Sequence, residues 1–408
     1  MKALRLYIIT LMLGMGGMGC QEDSVEVGGD SMPPPPGSLH SYELLGEFSQ
    51  DALRLAIAFT DYKEHQSRIQ HGIQVFRVSY NTHFKGASVR ASALVCLPDT
   101  TNEHTPLLMG MHGTLTEHSK APSAFNLSQQ HINGFEFFAA LGFITMIPDY
   151  LGFGDSHSLV HPYYHYASSG ESNLDLLRAT QELLATLALS YQESLFLIGY
   201  SQGGYVSLAT ARYWQEHADS TGVLLKAVAA GAGAYHIRGV MEKIIARETY
   251  ASPAYLAYLI YSFQQTYGWD RPLSDFFREP YATRLPLLFD GEHSQGAIND
   301  QLSPHLSELF QADFLRDLRQ GKESFFLAAL EENSVHDWWP HVPVRLYHEQ
   351  DDEVVPIADS EETAATLSAN GAVDLAYVPY DEGHSHSSGI EPMLHRAVPW
   401  FLRLRDEE

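Results

Sequence analysis

Residues 194–204 read S-L-F-L-I-G-Y-S-Q-G-G. The run SLFLI is short and continuously apolar, the mark of a strand covered on both faces of a parallel sheet. A serine fenced by glycines follows at once. Such a segment can be a plain turn of small residues between a strand and a helix. It can also hold a serine on a strained strand-to-helix turn, its hydroxyl lifted above the sheet and its neighbours stripped of side chains that would clash there. The pattern G-x-S-x-G arises by chance in long chains, so the surrounding sequence must decide.

Outward from this stretch, TPLLMGMHG, FITMIPDY and LKAVAAGAGA are equally short apolar runs bounded by turns. Between FITMIPDY and SLFLIGYS, the segment SNLDLLRATQELLATLAL sets Leu176, Ala179, Leu183 and Leu187 on one helical stripe. QGGYVSLATARYWQEHA supplies the next helix. Strand–helix alternation predicts an α/β fold with a mostly parallel, doubly wound sheet, its ligands bound beyond the carboxyl ends of the strands. Ser201 falls at such an end. Upstream, QVFRVSYNT and ASVRASALVCLP alternate polar and apolar residues as a half-exposed antiparallel pair does, and residues 41–72 read as helical. The alternation stops near residue 236 and resumes with VPVRLYHE, a helix at PIADSEETAATLSANG, the strand DLAYVPY and a last helix near IEPMLHRAVPWFLRLR. The predicted core is therefore 41–235 plus 336–408, with 236–335 inserted as a helical cap.

The chain has 408 residues, 25 Lys+Arg against 50 Asp+Glu. A net charge of −25 excludes a nucleic-acid binder, which needs a basic surface. Lys2 and Arg5 precede an apolar run that ends in small residues and Cys20, too short for a comfortable membrane span and flanked like an export signal. The segment resembles the lipobox of bacterial lipoproteins, although Gly17 stands where leucine is usual. This implies a leader at 1–19, lipidation of Cys20, and a membrane-anchored body facing the periplasm or exterior, with ordinary secretion or an uncleaved anchor as the alternatives. Residues 20–40, acidic and then proline-rich, read as a tether. With Cys20 lipidated, Cys96 has no partner and no disulfide forms.

A serine hydroxyl needs a base, a carboxylate to orient the base, and donors for the developing oxyanion. In α/β hydrolases the chain order is serine, acid, histidine. VRLYHEQDDEVVP places Asp351 and Asp352 after a strand; the pattern of that family sets the acid four residues before a proline, which Pro356 supplies for Asp352, so resemblance to it implies Asp352 as the acid, with Asp351 as the alternative. DLAYVPYDEGHSHSS puts His384 at the end of the last strand as the expected base, with His386 as the alternative; His395, in the final helix, reads as a packing or surface residue. The oxyanion donors are expected to be the main-chain N–H groups of Gln202 and Thr114, in a loop shaped by His112 and Gly113. Asp149 reads as a loop organiser beside Tyr150.

The chain resembles the secretory lipase group of α/β hydrolases from about residue 74 onward. The motifs are HGT at 112–114, PDYLGFGDS at 148–156, HPYYH at 161–165, GYSQGG at 199–204 and DWWPHVPVRLYHEQDDEVVP at 337–356. The resemblance implies hydrolysis of a small-molecule or lipid ester under a helical cap. Two departures are Glu349, where a glycine is common before the acid, and the histidine motif EGHSH. Tyr258, Tyr261, Phe263, Tyr267 and Trp269 either line an acyl tunnel or form the cap's own packing. Neither metal-ligand spacing nor a cofactor motif is present, so no cofactor is expected. A serine peptidase of the prolyl-oligopeptidase type and a non-catalytic binding protein on the same scaffold are the competing readings.

Overall fold

The computed structural model describes residues 34–126, 134–217 and 221–407. The leader, Cys20 and residues 20–33 of the tether lie outside the described residues. Nine strands form one sheet: β1 (Leu39–Phe48), β2 (Ile73–Phe84), β3 (Ala87–Pro98), β4 (Pro106–Met111), β5 (Ile144–Pro148), β6 (Gln192–Tyr200), β7 (Leu224–Gly231), β8 (Val344–Glu349) and β9 (Leu375–Tyr380). Their spatial order is β1-β2-β3-β5-β4-β6-β7-β8-β9. The pairings β1–β2, β2–β3 and β3–β5 are antiparallel; all those from β5 through β4 to β9 are parallel. The expected α/β-hydrolase architecture is the one observed.

Side-chain alternation divides the interior into two cores. Leu107, Met109 and Met111 of β4 and Leu195 and Leu197 of β6 face one side, with the helix Tyr166–Thr186 against them. Leu108 of β4 and Phe196 and Ile198 of β6 face the other, against Met393, Ala397 and Phe401 of the helix Ile390–Asp406. This covering of both faces is why these strands are continuously apolar.

Two expectations fail at the amino-terminal edge. Residues 39–48 are a strand, not helix or tether, paired along its length with β2. As an edge strand with mostly exposed side chains, it carries no burial pattern, and pairing overrides the helical preference of its Leu and Glu residues. β2 and β3 are also more deeply buried than their alternation implies. Val75 and Phe76 enter opposite cores, and so do Leu94 and Val95, because helical segments cover both faces of the sheet here.

Between β7 and β8 the chain is helical from Ile237 to Glu332, broken by turns and isolated bridges. This segment joins the core on the same face as the helices Tyr166–Thr186 and Gln202–His217.

Candidate active site

β6 ends at Tyr200, and Ser201 takes the left-handed φ of +59° before the helix Gln202–His217 begins. The turn is possible only where strand and helix can touch. A Cβ on Gly199 would overlap the Gly203 carbonyl oxygen, and one on Gly203 would overlap that of Met111. The N–H of Ser201 donates to the Gly231 oxygen at 2.8 Å, fixing the turn to β7.

The acid lies in the loop after β8. Asp352 has a fully buried side chain. One carboxylate oxygen, Oδ1, accepts the N–H groups of Val354 and Val355, both at 2.8 Å. The other, Oδ2, accepts from His386 Nδ1 at 2.6 Å and from His348 Nε2 at 3.2 Å. Burial pushes the Asp352 carboxyl up, but the hydrogen bonds and charges of His348 and His386 outweigh it and hold the group well below the usual carboxylate range. Asp351, the alternative acid, is exposed.

The histidine in contact with the serine is His386, not His384. His386 Nε2 lies 2.7 Å from Ser201 Oγ, completing a Ser201–His386–Asp352 chain. An ionised carboxylate can only accept, so Nδ1 of His386 carries the proton and Nε2 is left to accept from the serine hydroxyl. The loop after β9 explains the choice. Its Glu382 N–H donates to the buried Glu349 carboxylate at 3.2 Å, and its His386 N–H donates to Glu353 at 3.0 Å. Gly383, between these two attachments, has φ of +72°. The second attachment, with the Ser385–Gly389 turn behind it, seats His386 over the serine, while His384 is half-exposed on the intervening arm.

Gly113 places the β4 loop beside Ser201: a Cβ there would be 3.7 Å from Ser201 Cβ. Neither the Thr114 nor the Gln202 main-chain N–H forms a hydrogen bond among the described residues. Asp149 is a loop organiser, fully buried, accepting from Ser92 Oγ and from the Ser123 N–H at 2.7 Å. Tyr150 donates to the His112 carbonyl at 3.0 Å.

The profile of the secretory lipase family matches residues 132–401. The chain belongs to the secretory lipase family. Among solved structures, a candidate hydrolase from Legionella pneumophila is 25% identical, with a TM-score of 0.82 over 91% of this chain and 99% of that one. A ligand-bound form of the rice cell wall degrading esterase LipA from Xanthomonas oryzae is 25% identical, with a TM-score of 0.77 over 88% and 95%. Candida antarctica lipase A in its closed state shares the fold at 14% identity, with a TM-score of 0.65 over 91% and 83%. Among curated proteins there is no match.

Three residues of this family member stand around the site with no role assigned to them by the sequence. His348 points along β8 to the acid, its Nε2–H shared between Asp352 and the Val355 oxygen while Nδ1 lies 2.7 Å from Ser360 Oγ. Glu349, the departure from glycine, is the buried carboxylate that holds the histidine loop. His161, of the HPYYH motif, stands behind Gln202. Its Nδ1 donates to the Leu151 oxygen at 2.6 Å, so Nε2, at 2.7 Å, accepts from the Gln202 side chain. That motif was the available signal for His161; a single histidine or glutamate in a strand gives none.

Ser201 opens into a cavity of about 60 Å³ whose lining includes the aliphatic side chains of Ile237, Val240, Met241, Ile244, Leu256 and Leu259 and the rings of Tyr163, Tyr164, Tyr250 and Tyr255. None of the five aromatics expected at a tunnel lines it. They follow the packing alternative: Tyr258 stacks between Tyr163 and Phe289, and Phe263, Tyr267 and Trp269 pack on one another.

Burial pushes His161 down to about 3 and His112 down to about 4, so both are neutral in the fold. Each takes up a proton on unfolding below its ordinary value near 6.5, so each loses the fold stability as pH falls. Asp359, pushed up to about 6 by burial, binds its proton in the folded state and acts in the opposite sense between pH 6 and its ordinary value. Together the three leave the unfolded chain binding more protons than the fold between roughly pH 6 and 5, so stability declines as pH falls through that window. Chemical unfolding at those two pH values, with His161→Leu showing a shallower dependence than wild type, checks this.

Proposed function

We propose that the protein is a serine hydrolase that cleaves carboxylic esters through an acyl-enzyme. The observation that carries this reading is the unbroken contact Ser201–His386–Asp352 opening into an apolar cavity. His386 Nε2 takes the proton of Ser201 as Oγ attacks the ester carbonyl carbon. The carbonyl oxygen becomes an oxyanion facing the N–H groups of Gln202 and Thr114, in a place where one such donor is worth about 3 kcal/mol. Asp352 stabilises the imidazolium without taking its proton. His386 then protonates the departing alcohol, and water, deprotonated by the same nitrogen, releases the acid.

The esterase name of the Xanthomonas oryzae relative supports the ester as the scissile bond. Walls of Val240, Ile244, Leu256 and Leu259 suit an apolar acyl group. A cavity of about 60 Å³ holds only a few water-sized volumes, which suits an acyl chain of a few carbons. In a nitrophenyl ester series from acetyl to palmitoyl, kcat/KM is expected to rise only over the first few carbons and then to gain nothing, since each methylene left outside the cavity adds none of the about 0.8 kcal/mol that burial would give. A peak at palmitoyl would overturn the acyl assignment. Equal turnover of peptide amides would overturn the ester assignment.

Export through a leader at 1–19, lipidation of Cys20 and the tether belong to the same proposal and rest on the sequence. No helix among the described residues is long and apolar enough to cross a membrane.

A further inference from the structure

Outside the cleft, three metal-binding atoms meet where the amino-terminal segment touches the last helix. His65 and Glu64 lie on the 3-10 turn Lys63–Arg68, and His395 lies on the helix Ile390–Asp406. His65 Nε2 faces His395 Nδ1 at 3.1 Å. Glu64 Oε1 lies 2.7 Å from His395 Nδ1 and 3.6 Å from His65 Nε2. The fourth group, Glu391, one helical turn before His395, has Oε1 3.7 Å from His395 Nε2.

We propose that Glu64, His65 and His395 form a structural Zn²⁺ site. With Zn–N and Zn–O bonds of about 2.0–2.2 Å, ligand atoms of a tetrahedral site stand about 3.4 Å apart, and the three observed separations bracket that value. Glu391 adds a carboxylate near the outer nitrogen of His395, 3.7 Å away and beyond hydrogen-bond reach. The inner nitrogen of His395 faces both the Glu64 carboxylate oxygen and His65 Nε2, so an ion that displaces its proton meets all three ligand atoms at once. Two imidazoles and one carboxylate suit zinc, whereas Ca²⁺ and Mg²⁺ require sets of oxygen ligands.

The surroundings fit a site that is walled yet reachable. His65 is buried at 1% exposure, while the Glu64 side chain is 58% exposed and leaves the ion a route from solvent. Phe137 lies beside His65 and Tyr62 beside His395, ring centroids 6.0 and 5.7 Å away, giving the cluster an apolar wall. A second group, His236, Glu331 and His336, is less apt. Its two rings stack more tightly, at 3.9 Å and 18° against 5.1 Å and 29° for His65 and His395, and neither histidine is fully buried. The proposed ion would clasp segments 330 positions apart, tying the turn before β2 to the helix that backs the sheet. Its role is to hold the fold, not to turn over substrate.

The test uses the mature protein after treatment with a chelator. Titration calorimetry with ZnCl₂ is expected to give one equivalent, and Co²⁺ in its place is expected to show the intense visible absorption of a tetrahedral site. At a hundredfold excess of zinc over Kd the unfolding midpoint is expected to rise by about 3 °C. All three signals are lost in Glu64→Gln and in His395→Gln and kept in His336→Gln. Glu64 is largely exposed, so Glu64→Gln decides the matter even where His395→Gln fails to fold. Absence of a stoichiometric zinc signal in wild type, or its survival in Glu64→Gln, overturns the site.

Discussion

His386→Ala and Ser201→Ala each lower kcat for nitrophenyl ester hydrolysis by about 10⁶-fold, whereas His384→Ala leaves it near the wild-type rate. The size follows from how serine and histidine act: neither the nucleophile nor its base contributes without the other, so losing either removes the whole unit and leaves only oxyanion donors and binding. The contrast between the two histidines follows from position. Only His386 reaches both Ser201 Oγ and Asp352 Oδ2, at 2.7 and 2.6 Å. His384 is half-exposed on the same loop. Steady-state kinetics of the three variants, with near-wild-type circular dichroism for each, checks the result. A large loss in His384→Ala with activity kept in His386→Ala would reverse the assignment.

Asp352→Asn costs about 10⁴-fold in kcat with a smaller change in KM, while Asp351→Asn has little effect. The substituted amide would keep one oxygen for the Val354 and Val355 N–H groups that Asp352 now holds at 2.8 Å. Its NH₂ would then meet His386 Nδ1, which must give up its proton to accept. The imidazole flips to the tautomer with Nε2–H, which cannot take the proton of Ser201. The same NH₂ would meet the Nε2–H of His348, so the loop loses its contact to that histidine. Rates of Asp352→Asn and Asp352→Glu, with KM and kcat separated, distinguish loss of the base's orientation from loss of the fold. An Asp352→Asn enzyme within tenfold of wild type would place the orienting acid elsewhere.

How much of this was legible depended on what kind of signal each part leaves. The parallel strands were readable because burial on both faces writes an unbroken apolar run, as in Leu195–Ile198. Ser201 was readable because the turn it occupies excludes side chains at Gly199 and Gly203, and that steric demand is local in sequence. Asp352 came from its distance to Pro356 at the next helix. The base was harder. His384 and His386 differ by two positions in a loop, and no periodicity sets the register of a loop. The attachments that set it are long-range, from Glu349 to Glu382 and from Glu353 to His386. The edge strand at Leu39–Phe48 was missed for a related reason: its only determinant is the neighbouring strand. The Glu64–His65–His395 cluster joins residues from opposite ends of the chain, so no spacing rule could have revealed it.

The account's central claim is that Ser201 is a nucleophile activated by His386. Labelling of the folded protein with a fluorophosphonate, read by intact mass and peptide mapping, tests it most directly. The predicted result is a single adduct on the peptide that carries Ser201, formed at the wild-type rate in His384→Ala, absent in Ser201→Ala and greatly slowed in His386→Ala. An adduct on another residue, or undiminished labelling of His386→Ala, would contradict it.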